Sequence, residues 1–205
     1  MAAAQPAVAG RNISIDALRD EAGACRRCPL WKGATTCVFG EGPSAARLML
    51  VGEQPGDEED RAGRPFVGPA GRLLDRALGE AGLDRREIYV TNAVKHFKYV
   101  LRGKRRLHQK PTAGEIEACR WWLDQEIGVV RPRSILMLGA SAIRGVTGNA
   151  GAVGKLRGEP MEIAGARALA SYHPSYVLRV PDRDAAREAE RTLIADLGRA
   201  AALAR

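Results

Sequence analysis

Three features of the sequence predict an α/β fold, a three-layer α/β/α arrangement around a central, mostly parallel four-stranded sheet. Short apolar runs alternate with helix-periodic segments, glycine and proline punctuate the junctions, and no repeat or low-complexity tract interrupts the alternation. Strands separated by helices pair in parallel through crossovers, which lay helices on both faces of the sheet. The 205 residues, 45% of them hydrophobic, are enough for one sizeable core, so a single domain over 1–205 is expected, with residues 1–12 flexible.

The elements follow in order. A first helix precedes Cys25, and Ala46 to Gly52 is an apolar strand ending in GEQPG. Pro69 to Ala81 has helical periodicity, and Ile88 to Val94 is a second strand. A basic loop, 95–111, leads to a helix over Thr112 to Ile127, opened by Thr112 with Glu115 three residues on, the pattern of a capping box. Ser134 to Leu138 is the third strand, with a helix from Ala140, and Arg167 to Tyr172 is the fourth. Asp182 to Ala204 is a long Ala-rich closing helix. Ligands of such folds gather at the C-terminal ends of strands, where GEQPG, Thr91-Asn92 and His173-Pro174-Ser175 fall.

Charge narrows the partner. Thirty-two Lys and Arg against 24 Asp and Glu leave a net charge of +8, the sign that suits a polyanion, be it DNA, RNA or a membrane surface. Between Ile88 and Gly114 there is no acidic residue, while Lys95, Lys98, Arg102, Lys104, Arg105, Arg106 and Lys110 supply seven cations, a stretch built to grip phosphates. The N-terminus lacks the pattern of a secretory signal and no apolar run has the length of a membrane span, so a cytoplasmic protein with no membrane partner is expected; a monomer is the expectation for its assembly, which the sequence itself does not show.

Four cysteines in such a compartment are ligands or core residues rather than disulfides. Cys25-Arg-Arg-Cys28 by itself fits zinc, a redox dithiol or an iron-sulfur cluster equally. Cys119, in the middle of a predicted helix, and His96, just after the second strand, complete a possible set of four; the bland alternative for Cys119 is a buried core thiol.

The run CRRCPLW, VFGEG, VGEQPG, GRPFVGPAGRLLD, YVTNAVK, EIEACRWWL, LMLGASA and HPS resembles, in order and from Cys25 to Arg179, the iron-sulfur uracil-DNA glycosylases called family 4. Two departures resemble an offshoot of that family, UdgX, which becomes joined covalently to its DNA through a histidine. Lys95-His96-Phe97 stands where family 4 has a cysteine, and the loop is lengthened into Lys104-Arg105-Arg106-Leu107-His108. The resemblance implies a 4Fe-4S cluster held by Cys25, Cys28 and Cys119 with His96 at the fourth position, while Cys37 is a packed free thiol. It implies a partner too: uracil-containing DNA, single-stranded foremost and duplex as well.

The same resemblance assigns the chemistry. Phe66 stacks on an extruded uracil. Asn92 offers its carbonyl to N3–H and its amide to O4, a pairing that cytosine cannot return. His173 donates to O2 as charge builds there. Glu53 positions water at C1′ or takes the ring proton of an attacking histidine. Gln54 and Asp57 border the base, and Lys104, Arg105, Arg106, Ser175 and Arg179 hold DNA. His108 closes the basic run as the nucleophile. Three functions follow: a single-turnover glycosylase that stays attached through His108, a hydrolytic glycosylase in which Glu53 directs water, and a non-catalytic iron-sulfur module that senses uracil or single strands.

Overall fold

The computed structural model describes residues 13–205; the segment 1–12, expected to be flexible, lies outside them. In chain order the elements are α1 (Ile15–Gly23), β1 (Leu48–Gly52), α2 (Asp57–Ala62), α3 (Pro69–Glu80), β2 (Tyr89–Asn92), β3 (Tyr99–Arg102), β4 (Arg105–His108), α4 (Ala113–Val130), β5 (Ser134–Leu138), α5 (Ala140–Thr147), α6 (Val153–Leu156), β6 (Met161–Ile163), β7 (Ala166–Ser171), α7 (Pro174–Val177) and α8 (Arg183–Leu203). Their starts are chemically marked. Ser14, Thr112 and Asp182 each accept a backbone N–H from the first turn of α1, α4 and α8, and Glu115 completes the capping box of α4.

The sheet has the order β2-β1-β5-β7-β6, with β2, β1, β5 and β7 parallel. The α/β class holds, but the sheet has five strands rather than four, because β6 pairs antiparallel with β7. A three-residue strand turned back at Ala164 and Gly165, both at positive φ, leaves too short a pattern to recognise in sequence. The basic loop is corrected in the same way: β3 and β4 form an antiparallel hairpin within it, with Tyr99 opposite His108 and Gly103 at the tip.

Every residue of β1 and β5 is buried, as both faces of a central parallel strand are covered. Alternation divides them. Leu48, Leu50, Leu136 and Leu138 pack toward α3, α7 and α8, while Met49, Val51, Ile135 and Met137 pack toward α4 and α5. A third cluster joins Leu18, Ala22, Cys25, Phe39, Val94, Ile116, Cys119 and Trp122 beside the sheet. Among the described residues no helix is long and apolar enough to cross a membrane.

Candidate active site and thiol cluster

Four parallel strands end on one edge, and each delivers a side chain there: Glu53 after β1, Asn92 at the end of β2, Ser141 beyond β5 and His173 after β7. Gly52 carries no side chain for a visible reason. A Cβ there would lie 2.4 Å from Asn92 Oδ1 and 2.5 Å from the Phe66 ring, so the Asn92 amide and the ring converge on bare backbone.

Phe66 adopts φ 55°, the left-handed region that a bulky residue rarely enters. Its neighbours hold it there. Arg85 donates to the carbonyls of Pro65 and Phe66, and Glu59 accepts the N–H groups of Gly56 and Gly68 on either side of the loop. Gly71 allows the approach of α3, since a Cβ would sit 1.9 Å from the Phe66 carbonyl oxygen. The ring is buried and lies 5.8 Å from the imidazole of His173.

The tautomer of His173 is set by its cap. Ser175 N–H donates to Nδ1 at 3.1 Å, so the neutral ring carries its proton on Nε2. Burial, against the pull of Glu53, pushes this histidine down to about 4. Asn92 is also buried, and its Oδ1 has no hydrogen-bond partner. A buried carbonyl left empty costs about 1–3 kcal/mol, which makes it the signature of a missing donor.

Glu53 meets His108 from the hairpin, with Oε1 3.1 Å from Nε2. A carboxylate can only accept, so Nε2 carries a proton. The other oxygen, Oε2, accepts from the Ser141 hydroxyl. Burial opposes the charge on Glu53, yet the hydrogen bonds from His108 and Ser141 outweigh it and hold the carboxyl below its ordinary value.

The hairpin reaches the site because it is docked at three points. Gln54, expected at the base, donates instead to the carbonyls of Lys98 and Gln109 and accepts from Lys98 N–H, clamping the hairpin stem. Arg106, expected to dock the loop on a phosphate or a backbone carbonyl, turns inward: it donates to the Asp57 backbone carbonyl, pairs with the carboxylates of Asp57 and, at 2.6 Å, Asp60, reaches Thr35 Oγ1, and lies over the rings of Phe97 and Tyr99. Asp57 is thereby taken up by Arg106 rather than turned to the base. Tyr99 donates its hydroxyl to the Gly33 carbonyl. Lys104 and Arg105 stay exposed near the tip without an ion pair among the described residues, and Arg179 donates to Ser175 Oγ at 3.2 Å. Ser141 and Arg85 were missed by sequence reasoning, and the acids Asp57, Glu58, Glu59 and Asp60, which read in sequence as a solvated helix face, are corrected: Glu59 and Asp60 are buried, where they accept hydrogen bonds from the surrounding loops. Ser141 had a signal, since LGASA follows the C-terminal end of a parallel strand.

Cys25, Cys28, Cys37 and Cys119 are free thiols, and all but Cys28 belong to or pack against the third apolar cluster. Two N–H donors face sulfur: Lys95 N–H bonds Cys119 Sγ at 3.2 Å and the Trp122 indole bonds Cys25 Sγ at 3.1 Å. Burial pushes the Cys119 thiol up to about 12 and raises Cys28 as well, and burial lowers the buried His96 toward its neutral form. Among the described residues no three such side chains stand close enough for a single metal ion. Buried thiols with N–H groups aimed at sulfur do fit a larger iron-sulfur group, whose sulfurs take such hydrogen bonds.

Comparison with known proteins places the chain in a family. The uracil DNA glycosylase superfamily profile matches residues 39–198. A type-4 uracil-DNA glycosylase of Thermotoga maritima is 40% identical over 157 residues, covering 76% of this chain and 78% of that protein. One from Pyrobaculum aerophilum is 40% identical over 165 residues, covering 77% and 81%, and one from Sulfurisphaera tokodaii is 34% identical, covering 82% and 78%.

Proposed function

This chain belongs to the uracil-DNA glycosylase superfamily, and from that membership we propose that it excises uracil from DNA and remains joined to the sugar through His108, as UdgX does. The observation that carries the reading is the 3.1 Å approach of His108 Nε2 to Glu53 at the edge where the uracil readers stand. In a hydrolytic enzyme that carboxylate oxygen would face water; here an imidazole takes the place.

The steps balance. Uracil, flipped from the stack, rests against Phe66 with its N3–H on the empty Asn92 carbonyl. The C1′–N1 bond breaks and its electron pair leaves with the base, whose O2 accepts from His173 Nε2–H. Glu53, ionised, faces the positive sugar. The lone pair of His108 forms the new N–C1′ bond, and the proton on the other ring nitrogen passes to Glu53. A neutral imidazole bound to the abasic site remains.

Cys25, Cys28 and Cys119, with His96, would hold the 4Fe-4S cluster that the family resemblance implies. When bound, such a group ties the segment after α1 to α4 and supplies an electron-transfer centre that no step above uses. Its presence is checked by iron and sulfide content and by the visible absorption of freshly purified protein.

The decisive experiment is a denaturing gel after incubation with a uracil-containing single-stranded oligonucleotide. The proposal expects a band of protein plus oligomer that survives SDS and heat, absent for His108→Gly. Free abasic product with turnover would instead support hydrolysis, the activity that the names of the type-4 relatives carry.

A further inference from the structure

We infer that the cleft beside Ser141 is a track for the sugar-phosphate backbone of the DNA strand on one side of the target nucleotide. This rests on the reading that uracil in DNA is the substrate, and it adds a strand path and residues that the chemistry does not use. The cleft measures about 800 Å³ and runs between the start of α4, α5 and the segment leading into α6. Lys110, Arg144 and Lys155 stand along it, no acidic residue lines it, and Pro111, Ile116 and Leu156 give it an apolar floor.

None of the three cations makes a side-chain hydrogen bond or an ion pair among the described residues, although most arginines of α2, α3 and α8 do. Unpaired cations over apolar floor suit phosphates over deoxyribose. Continuity selects the occupant. Ser141 lines the cleft and also donates to Glu53, Arg144 is three residues on along α5, and Lys110 is two residues beyond His108. A strand whose sugar is held at Glu53 therefore enters or leaves past these cations. An acidic polypeptide would satisfy the charge but has no reason to begin at the reacting carboxylate.

The test measures binding of a uracil-containing single-stranded oligonucleotide by fluorescence anisotropy against salt, for wild type, Lys110→Gln, Arg144→Gln and Lys155→Gln, with Arg187→Gln on α8 as a control. Circular dichroism checks that each variant is folded. Each cleft variant should weaken binding several-fold and flatten the slope of log K against log salt by about 0.7, while the control keeps the wild-type slope. Oligonucleotides trimmed to one nucleotide 5′ or 3′ of the uracil then locate the track: the Arg144→Gln penalty should vanish with one trimming and persist with the other. Unchanged slopes in all three variants, or equal penalties on both trimmed substrates, would overturn the track. If wild type neither binds nor reacts with the oligonucleotide, the glycosylase reading falls too; if it reacts normally and the slopes do not move, the track alone falls.

Discussion

Ser141 donates its hydroxyl proton to the Glu53 oxygen that His108 does not face, so both oxygens of the one acidic group at the centre are held. The bond from Ser141 is among those that keep this carboxyl below its ordinary value against burial. Ser141→Ala should therefore raise it. The carboxylate would be lost sooner as pH falls, and the acid limb of the rate profile should move to higher pH, with a loss of about 5–10-fold at neutral pH, the worth of roughly one hydrogen bond. Glu53→Gln should lose about 10²–10⁴-fold at every pH. Single-turnover gels across pH check both, and an unmoved acid limb in Ser141→Ala would remove Ser141 from this role.

His173 supplies a second pH dependence, in stability. Its ordinary value of 6.5 falls to about 4 in the fold, mainly through burial. Between these values the unfolded chain binds a proton that the folded one does not, so stability rises with pH across the window. Acidification from pH 6.5 to 4 should weaken the fold, and His173→Gln should show a flatter dependence over the same range. Denaturant midpoints at half-unit intervals make the comparison.

Asn92 tests the base-reading edge. Its Oδ1 is buried and empty, so a donor such as the N3–H of the proposed uracil would fill a site whose cost is already present in the free protein. Asn92→Ala should lower uracil excision by about 10²-fold or more, as removal of one aimed polar group does. A variant retaining wild-type activity would assign recognition elsewhere.

How much of this was legible in the sequence differs by element, for physical reasons. The strands bearing Glu53 and Asn92 are apolar runs bounded by glycine or turn residues, and the cap at Thr112 is written in local chemistry, so both could be read directly. The hairpin could not. Its strands are four residues each and mostly exposed, and what holds them is a set of contacts over long sequence separations, from Arg106 to Asp57 and Asp60 and from Gln54 to Lys98 and Gln109. Seven cations between Lys95 and Lys110, with no acid among them, pointed to phosphate, yet Arg106 among them faces a buried acid. Composition gives the sign of a segment's charge and not the direction of each side chain.

Arg106 should accordingly act on hairpin docking. Asp60 is fully buried and also accepts the Thr35 N–H, so Arg106→Ala leaves a carboxylate without its cation at a cost of about 3–5 kcal/mol. Arg106→Lys should rescue only part of this, since an ammonium cannot bridge Asp57, Asp60 and Thr35 as the guanidinium does. In Arg106→Ala/Asp60→Asn, stability should largely return while His108 is no longer held at Glu53. Hydrogen exchange should then report fast opening of β3 and β4, and adduct formation should stay slow. Restored adduct formation in the double variant would show that docking depends on the other contacts.

Lys95 and Glu126 form a buried ion pair that links Asn92 to the thiol cluster. Lys95 Nζ donates to Thr91 Oγ1 and to the Asn92 carbonyl, both at 2.7 Å, while its N–H serves Cys119 Sγ. Glu126 Oε1 accepts from Gly40 N–H, Tyr89 and Thr91. Removing one charge strands the other, so Lys95→Met and Glu126→Gln should each cost about 3–5 kcal/mol. The pair Lys95→Met/Glu126→Gln has no buried charge and keeps an acceptor for Gly40 and Tyr89, so most of that loss should be recovered. Selectivity should not be recovered, because the Asn92 backbone has lost the donor that fixes it. The measurement is the ratio of uracil to cytosine excision in the stable double variant. A wild-type ratio would make the pair a packing element alone; a lowered ratio at near-normal stability is what a positioning role requires.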